Sequence, residues 1–175
     1  PKAGKVKKVT RNMELGTTEW VLTNGVKVIF KPTQFKKDEI LLSAFSNGGL
    51  SKIKNIADLP SATFATSVVS NNGLGDYTQI ELGKLLTGKI ATVNPYIGNY
   101  EEGFDGNSSV SDFETLLQLI YLNFTAVRKD ENSFTALINM YKASMANSAS
   151  DPRKAFSDTI NTCLTNNNPR TVIVN

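Results

Sequence analysis

The 175-residue sequence contains no histidine and only one cysteine, Cys163. A Ser-His-Asp triad, a Cys-His dyad and a zinc site built on imidazole all need histidine, so each of these is excluded for this chain. A single cysteine can form neither an internal disulfide nor a thiolate zinc cluster within one chain. Cys163 falls in the apolar phase of a predicted helix. We therefore expect it to be a core residue rather than a nucleophile.

Long apolar runs are also absent, since none approaches the ~18 residues that a bilayer span requires. We therefore predict no membrane span. The chain starts at Pro1 without a methionine and without a recognisable signal peptide, so we expect it to be a piece of a longer protein. Its composition, 40% hydrophobic and 20% charged, is ordinary for a globular domain.

Acidic residues are missing from the first eleven positions, although the chain is otherwise well supplied with them. Five basic residues lie there: Lys2, Lys5, Lys7, Lys8 and Arg11. The rest of the chain carries 14 basic and 16 acidic residues, so the net charge of +3 belongs to this segment. We interpret residues 1–16 as an aperiodic basic linker. A basic tail can bind nucleic acid or anionic lipid. No basic face with interleaved aromatics follows, however, so we expect no nucleic-acid partner.

The remaining residues, 17–175, are predicted to form one α+β domain. TEWVLTNGVKVIFKP predicts a hairpin, because Asn24-Gly25 is the preferred pair for a type I′ turn. Further strands are predicted at about 38–46, 89–97 and 99–106. The order of strands, two helices, strands and three helices predicts an antiparallel sheet with helices packed on one face. The final residues, TVIVN, are predicted to form either a closing strand or the start of a connection.

The first two predicted helices are short and begin at polar caps. Asp58 opens the first, which ends at Gly73. A capping box of Thr78 and Glu81 opens the second, which stops near Gly88.

Three longer helices follow, and apolar periodicity supports the first two of them. Ser111 and Glu114 are predicted to form a second capping box. The inner face of that helix is predicted to consist of Phe113, Leu116, Leu117, Ile120, Tyr121 and Phe124. Asp130 opens the next helix, and Asp151-Pro152 opens the last, which runs to about Asn166.

Several polar motifs are candidate sites. The glycine-rich segments match no phosphate-binding loop. Glu101 and Glu102 are adjacent on a predicted strand and should point to opposite faces, so they are not expected to act together as acid and base. Asn107-Ser-Ser and Asn123-Phe-Thr match the glycosylation pattern. The second is expected to be incidental, because Phe124 and its neighbours are predicted to be buried.

Specific phrases of the sequence resemble the insulinase/pitrilysin-type zinc metallopeptidases. WVLTNGVKVIFKP resembles the opening hairpin of a domain of that family, and SAFSNGG resembles its next strand and glycine-rich exit. KLLTGKIATVNPYIGNYEEGFDG and SDFETLLQLIYLNFTAVRKDENSF resemble the strand pair and helix pair that follow. The resemblance runs from about Thr17 to Arg170 and implies a fold similar to that of mitochondrial processing peptidase domains.

In that family, the helix after the glycine-rich exit carries His-x-x-Glu-His, with two zinc ligands and a general base. Aligned to this sequence, the first ligand falls near Ser61, the base near Phe64 and the second ligand near Ala65. The third ligand, a Glu in the family, falls near Ala143. The resemblance therefore implies no catalytic, cofactor-binding or metal-binding residue in this chain.

Members of this family consist of two similar halves that enclose a peptide-selecting chamber, and one half has usually lost the zinc motif. The resemblance implies that this chain is the first domain of the degenerate half, with a structural role in the chamber. Zinc and proteolysis would come from the partner half, in the same chain or in a partner subunit. The basic tail would connect the halves. Resemblance to large bacterial members implies a periplasmic or exported protein.

The family's domain continues into another helix and strand, so we expect truncation at Asn175 and an exposed sheet edge that can pair two copies. Two other hypotheses stay open. In the first, the chain is a free-standing peptide- or protein-binding module, or an inactive subunit of a two-subunit peptidase. Alternatively, it is an enzyme of another class, with Lys84 and Tyr96 as candidate participants.

Overall fold

The computed structural model describes residues 4–148 and 151–171. The chain divides into two compact units, Pro1–Asp38 and Glu39–Asn175. The boundary between these two units lies near residue 38. The assignment of residues 17–175 to a single peptidase-like domain stays a prediction. The predicted closing strand TVIVN falls almost wholly on residues 172–175, which lie outside the described residues.

The first unit contains a three-stranded antiparallel sheet in the order β1-β2-β3. Its strands are β1 (Val6–Asn12), β2 (Thr17–Leu22) and β3 (Lys27–Phe30). The interpretation of residues 1–16 as aperiodic is therefore wrong for β1. Val6, Val9 and Thr10 favour a strand. Basic residues between them obscured the pattern, although lysine is typical of exposed edge strands such as this one.

The predicted hairpin between β2 and β3 is present, but its turn differs from the predicted type I′. Leu22 N–H donates to the Val26 carbonyl at 2.8 Å, so the loop has three residues, Thr23 to Gly25. Gly25 has a φ of 88°, whereas Asn24 is not among the residues with positive φ. A type I′ turn needs positive φ at both residues, so the turn is of the three-residue kind with glycine in the left-handed position.

The second unit contains the second antiparallel sheet and all five helices of the described chain. Its strands are β4 (Glu39–Asn47), β5 (Ala91–Ile97) and β6 (Glu101–Ser109), in the order β4-β6-β5. Its helices are α1 (Leu59–Asn72), α2 (Gln79–Leu85), α3 (Phe113–Thr125), α4 (Glu131–Ser148) and α5 (Pro152–Leu164). The α+β prediction is confirmed. Within the described chain, no helix combines the length and apolar character needed to cross a membrane.

Several predicted caps are present in the structure. Thr78 and Glu81 form the capping box, with Glu81 N–H donating to Thr78 Oγ1 at 3.3 Å and Thr78 N–H donating to Glu81 Oε2 at 2.9 Å. Asp130 accepts from Ser133 N–H at 2.9 Å, and Asp151 accepts from a backbone N–H in the first turn of α5. These side chains satisfy backbone donors that have no partner within their own helix.

Two predicted caps are wrong. Asp58 lies at the cap position of α1 but its side chain makes no cap hydrogen bond. The predicted box of Ser111 and Glu114 does not form, because Asp112 is the cap residue of α3 and is bound elsewhere. Its carboxylate accepts from Ile90 N–H at 3.0 Å, which ties the start of α3 to the entry into β5.

The core of the second unit lies between the sheet and the helices. Its buried cluster consists of Leu74, Leu82, Ala91, Leu116 and Leu119. Leu42 of β4 and Val93 of β5 pack against this cluster. Both pair with Gly106 of β6, so they lie on the same face of the sheet, which is the face covered by helices.

The predicted inner face of α3 is partly wrong. Leu119 is buried, whereas Leu117, Tyr121 and Phe124 are exposed. The buried stripe is centred on Leu116 and Leu119, and residues about 100° further round the helix are largely exposed, although the Phe124 ring still contacts Phe104 of β6.

The end of the described chain returns to the loop before α1. Arg170 donates through Nη1 to the Leu50 carbonyl at 3.3 Å and through Nη2 to the Ile53 carbonyl at 2.9 Å. One side chain therefore joins segments 117 to 120 residues apart.

Candidate functional site

Helix α1 carries three of the four positions that the resemblance aligned with a zinc site. Ser61 is exposed, whereas Phe64 and Ala65 are half-buried. Ser61 and Ala65 are four residues apart and so share one face of the helix. Ala143, the fourth position, is exposed on α4. None of these side chains is a thiolate, imidazole or carboxylate, the groups that bind zinc in proteins.

The position aligned with the general base has a packing role. The Phe64 ring meets the Tyr141 ring of α4 edge to face, with centroids 4.8 Å apart and planes at 78°. The Tyr141 hydroxyl lies 3.5 Å from Ser67 Oγ on the next turn of α1. Together these contacts join α1 to α4 through an aromatic pair.

The hydroxyl groups of α1 are also used within the helix. Thr63 Oγ1 donates to the Leu59 carbonyl at 2.9 Å, one turn earlier. The small side chains of α1 let it contact both β5 and α4 closely. Among residues 4–148 and 151–171, no group of three or more His, Cys, Asp or Glu side chains is placed to hold a metal ion.

Two neighbouring cavities lie between α1 and β5. The first has a volume of about 240 Å³ and is lined by five consecutive residues of β5, Ala91 to Pro95. Alternate side chains of a strand point to opposite faces, so a cavity lined by five in a row lies along the edge of the strand. The second, of about 310 Å³, extends to Tyr141 and shares Ser70, Asn94 and Pro95 with the first. We call the two together the β5 trough.

The outer edge of β5 carries backbone groups that do not pair with β6. Ser109 N–H donates to the Ile90 carbonyl at 2.9 Å, which fixes the alternation of the ladder. Antiparallel pairing then directs the backbone groups of Ala91, Val93 and Pro95 away from β6. Pro95 has no N–H, and proline is tolerated in a sheet at such outward positions. This edge can accept an extended segment, with one donor missing at Pro95.

The other candidate residues are not brought together. Tyr96 donates to Glu101 Oε1 at 3.3 Å. Loss of solvation, with the Glu101 charge second, raises the pKa of Tyr96. Glu102 accepts from Gly49 N–H and lies 3.9 Å from Lys52 Nζ. Lys84 is exposed on α2.

The two glycosylation motifs lie on regular elements, and both asparagines are engaged. Asn107 on β6 accepts from the Thr92 hydroxyl, and Asn123 Nδ2 on α3 donates to the Leu119 carbonyl at 2.9 Å. Phe124 is 73% exposed, so the reason given for discounting the second motif is wrong, although its ring packs edge to face on Phe104.

Sequence reasoning missed the β5 trough. A groove between a strand edge and two helices depends on the tertiary arrangement, which no local pattern encodes. One signal was available: a proline inside a predicted strand favours an edge position, and Pro95 lies inside the strand predicted at 89–97.

No family model matches the sequence. Comparison with known proteins nevertheless gives matches in sequence and matches in structure. A zinc protease PQQL-like protein of Arabidopsis thaliana is 28% identical over 148 residues, covering 84% of this chain and 13% of the relative. A probable zinc protease PqqL of Haemophilus influenzae is 29% identical over 104 residues, covering 59% of this chain and 11% of the relative. The chain thus spans little more than a tenth of the length of these relatives.

Two solved structures share the fold. The ferredoxin protease FusC, a mutant in complex with Arabidopsis ferredoxin, superposes with a TM-score of 0.78 at 15% identity, covering 93% of this chain and 18% of that one. The periplasmic protease PqqL of Escherichia coli gives 0.76 at 18% identity, covering 91% and 17%. These matches confirm the predicted fold, and the sequence matches confirm the resemblance.

Proposed function

We propose that this chain, which is homologous to the PqqL-like zinc proteases of the insulinase/pitrilysin family, is a non-catalytic structural domain of a zinc protease. The observation that carries the proposal is the Phe64–Tyr141 pair. At the position aligned with the general base, an aromatic ring packs α1 on α4. A helix used in this way stabilises the domain and supplies no ligand.

In this proposal, zinc and peptide hydrolysis belong to a partner half of the parent protein. The name of the E. coli structure, a periplasmic protease, supports a periplasmic or exported location as part of the proposal. The short span of the chain relative to its relatives supports a role within a larger polypeptide.

The β5 trough is the surface that would face a peptide in the chamber. Its strand edge would offer backbone groups to an extended chain, while Ser70 of α1 and Asn94 of β5 add polar side chains to the lining. Pairing of two copies through a sheet edge stays a prediction. It is tested by light scattering of the purified chain, in which a monomer would count against it.

Isothermal titration calorimetry with zinc tests whether the chain lacks the family's metal site. We expect the chain to bind no stoichiometric zinc and to cleave no peptide by itself. The control is the double variant Ser61→His and Ala65→His, which places two imidazoles on one face of α1 and is expected to bind zinc. Tight stoichiometric zinc binding by the unaltered chain would show that the proposal is wrong.

The full gene product separates the remaining alternatives. A His-x-x-Glu-His segment elsewhere in the same polypeptide favours a structural domain. The same motif in a separate neighbouring gene favours an inactive subunit of a two-subunit peptidase. If neither is found, the free-standing binding module becomes the better reading.

A further inference from the structure

Helix α5 turns its apolar residues toward solvent. Phe156 is 69% exposed, Ile160 is 40% exposed and Leu164 is 80% exposed. Their spacing of four residues places them on one face, together with the exposed Cys163. The prediction that Cys163 is a core residue is therefore wrong, although its apolar helical phase was identified correctly. We call these four residues the α5 apolar face.

The opposite side of α5 is polar and half-buried. Lys154 and Asp158 form an ion pair one turn apart, and their side chains are only 28% and 30% exposed. Thr162, the next residue on that side, is also half-buried and donates to the Asp158 carbonyl at 2.8 Å. A helix at the surface of a complete protein has the reverse arrangement, with apolar residues inward. The inversion indicates that another surface covers the α5 apolar face.

The solvent-accessible surface of the chain indicates how large an interface with another segment can be. The chain has a solvent-accessible surface of 13122 Å². Two globular proteins of the sizes of the two units would together expose about 9,800 Å² even when fully separate. The difference, about 3,300 Å² on this chain alone, exceeds the ~1,000–2,500 Å² that each partner contributes to an obligate interface. The curated relatives, of which this chain spans 13% and 11%, contain ample polypeptide to bury such an area.

We infer that the α5 apolar face is a docking surface for another apolar helical segment of the same gene product. The inference rests on the proposed function, because it requires that the chain be one domain of a larger protein. Three anchors at intervals of four residues extend about 12 Å along the helix axis, which suits a helix packed alongside it. The charges of Lys154 and Asp158 lie on the far side, so the contact would be apolar at its centre.

Cys163 is a built-in reporter of this contact. In native buffer, at low protein concentration, we expect iodoacetamide to label Cys163 at least about tenfold more slowly in the full gene product than in the 175-residue chain. Peptide-level mass spectrometry identifies the labelled residue. A matched control carries Asn161→Cys with Cys163→Ser, because residue 161 is exposed on α5 away from the apolar face. The control cysteine is expected to react equally in both proteins.

Equal labelling of Cys163 in the two proteins, or equal slowing of Cys163 and the control, would overturn the inference. So would protection of Cys163 in the 175-residue chain together with a dimer in light scattering, since a second copy would then be the occupant. The variant Leu164→Glu, at a position that is 80% exposed, adds an independent measurement. It should leave the melting temperature of the 175-residue chain unchanged and lower that of the full gene product. The zinc titration is unaffected by any of these results, so the two proposals can fail separately.

Discussion

The core of the second unit makes one quantitative prediction, in which Leu116 and Leu117 are each replaced by alanine. Leu116 is 0% exposed, whereas Leu117, its neighbour in sequence, is 45% exposed. Leu116 Cδ1 lies 3.0 Å from where a Cβ on Gly106 would be, so the side chain packs directly on β6. Removal of its three terminal carbons costs about 2.4 kcal/mol of transfer free energy. The cavity left behind brings the expected loss to about 3–4 kcal/mol.

Leu117→Ala removes the same atoms from a half-exposed site and should cost less than about 1 kcal/mol. Urea unfolding followed by circular dichroism at 222 nm measures both values, because all the described helices lie in the second unit. Tryptophan fluorescence is unsuitable, since the single tryptophan, Trp20, lies in the first unit. The slope of the transition should not change. Equal midpoints for the two variants, or a cost below about 1 kcal/mol for Leu116→Ala, would refute the assignment of the core.

Two further comparisons test a turn and a cap. Gly73 and Gly88 both have positive φ, 83° and 82°, but only at Gly73 would an added Cβ meet backbone, at the Tyr77 carbonyl. Gly88→Ala should therefore cost about 1–2 kcal/mol and Gly73→Ala clearly more, and similar urea midpoints for the two would contradict this reasoning. The hydrogen bond from Ile90 N–H, with that from Ser109, lowers the pKa of Asp112. As pH falls, the Asp112 carboxylate is therefore protonated first in the unfolded state. The stability that Asp112 contributes to the folded state is present above about pH 4 and is lost as pH falls toward its lower folded-state pKa. Asp112→Asn should flatten the fall of the urea midpoint in acid, and an unchanged slope for Asp112→Asn would contradict the assignment.

Features governed by local chemistry could be predicted from the sequence. The box of Thr78 and Glu81, the caps at Asp130 and Asp151 and the stop at Gly73 all form as predicted. Each depends on atoms within a few residues of one another. Strand β6, predicted at 99–106, runs from Glu101 to Ser109, because pairing with β4 rather than local propensity sets its end.

Features governed by tertiary contacts could not be predicted. Ser111 does not cap α3 as predicted. Asp112 occupies the cap position instead, because its carboxylate accepts a hydrogen bond from Ile90 N–H, 22 residues away. Periodicity identified the apolar face of α5 but not the direction in which it points. For the candidate site, the sequence showed the missing ligands, whereas only the structure showed that Phe64 packs on Tyr141 and that β5 lies at an edge.

The Arg170 contacts have a kinetic consequence. The helices and the β5–β6 hairpin form from residues close in sequence, and such contacts form early because little chain must be ordered. The bonds from Arg170 to the Leu50 and Ile53 carbonyls span 117 to 120 residues, so they are expected to close after the intervening elements are in place. The entropy of closing a loop rises only with the logarithm of its length. The Arg170 contact therefore adds little loop-closure entropy to the cost of folding. Because it forms late, it should act mainly on the rate at which the loop before α1 opens.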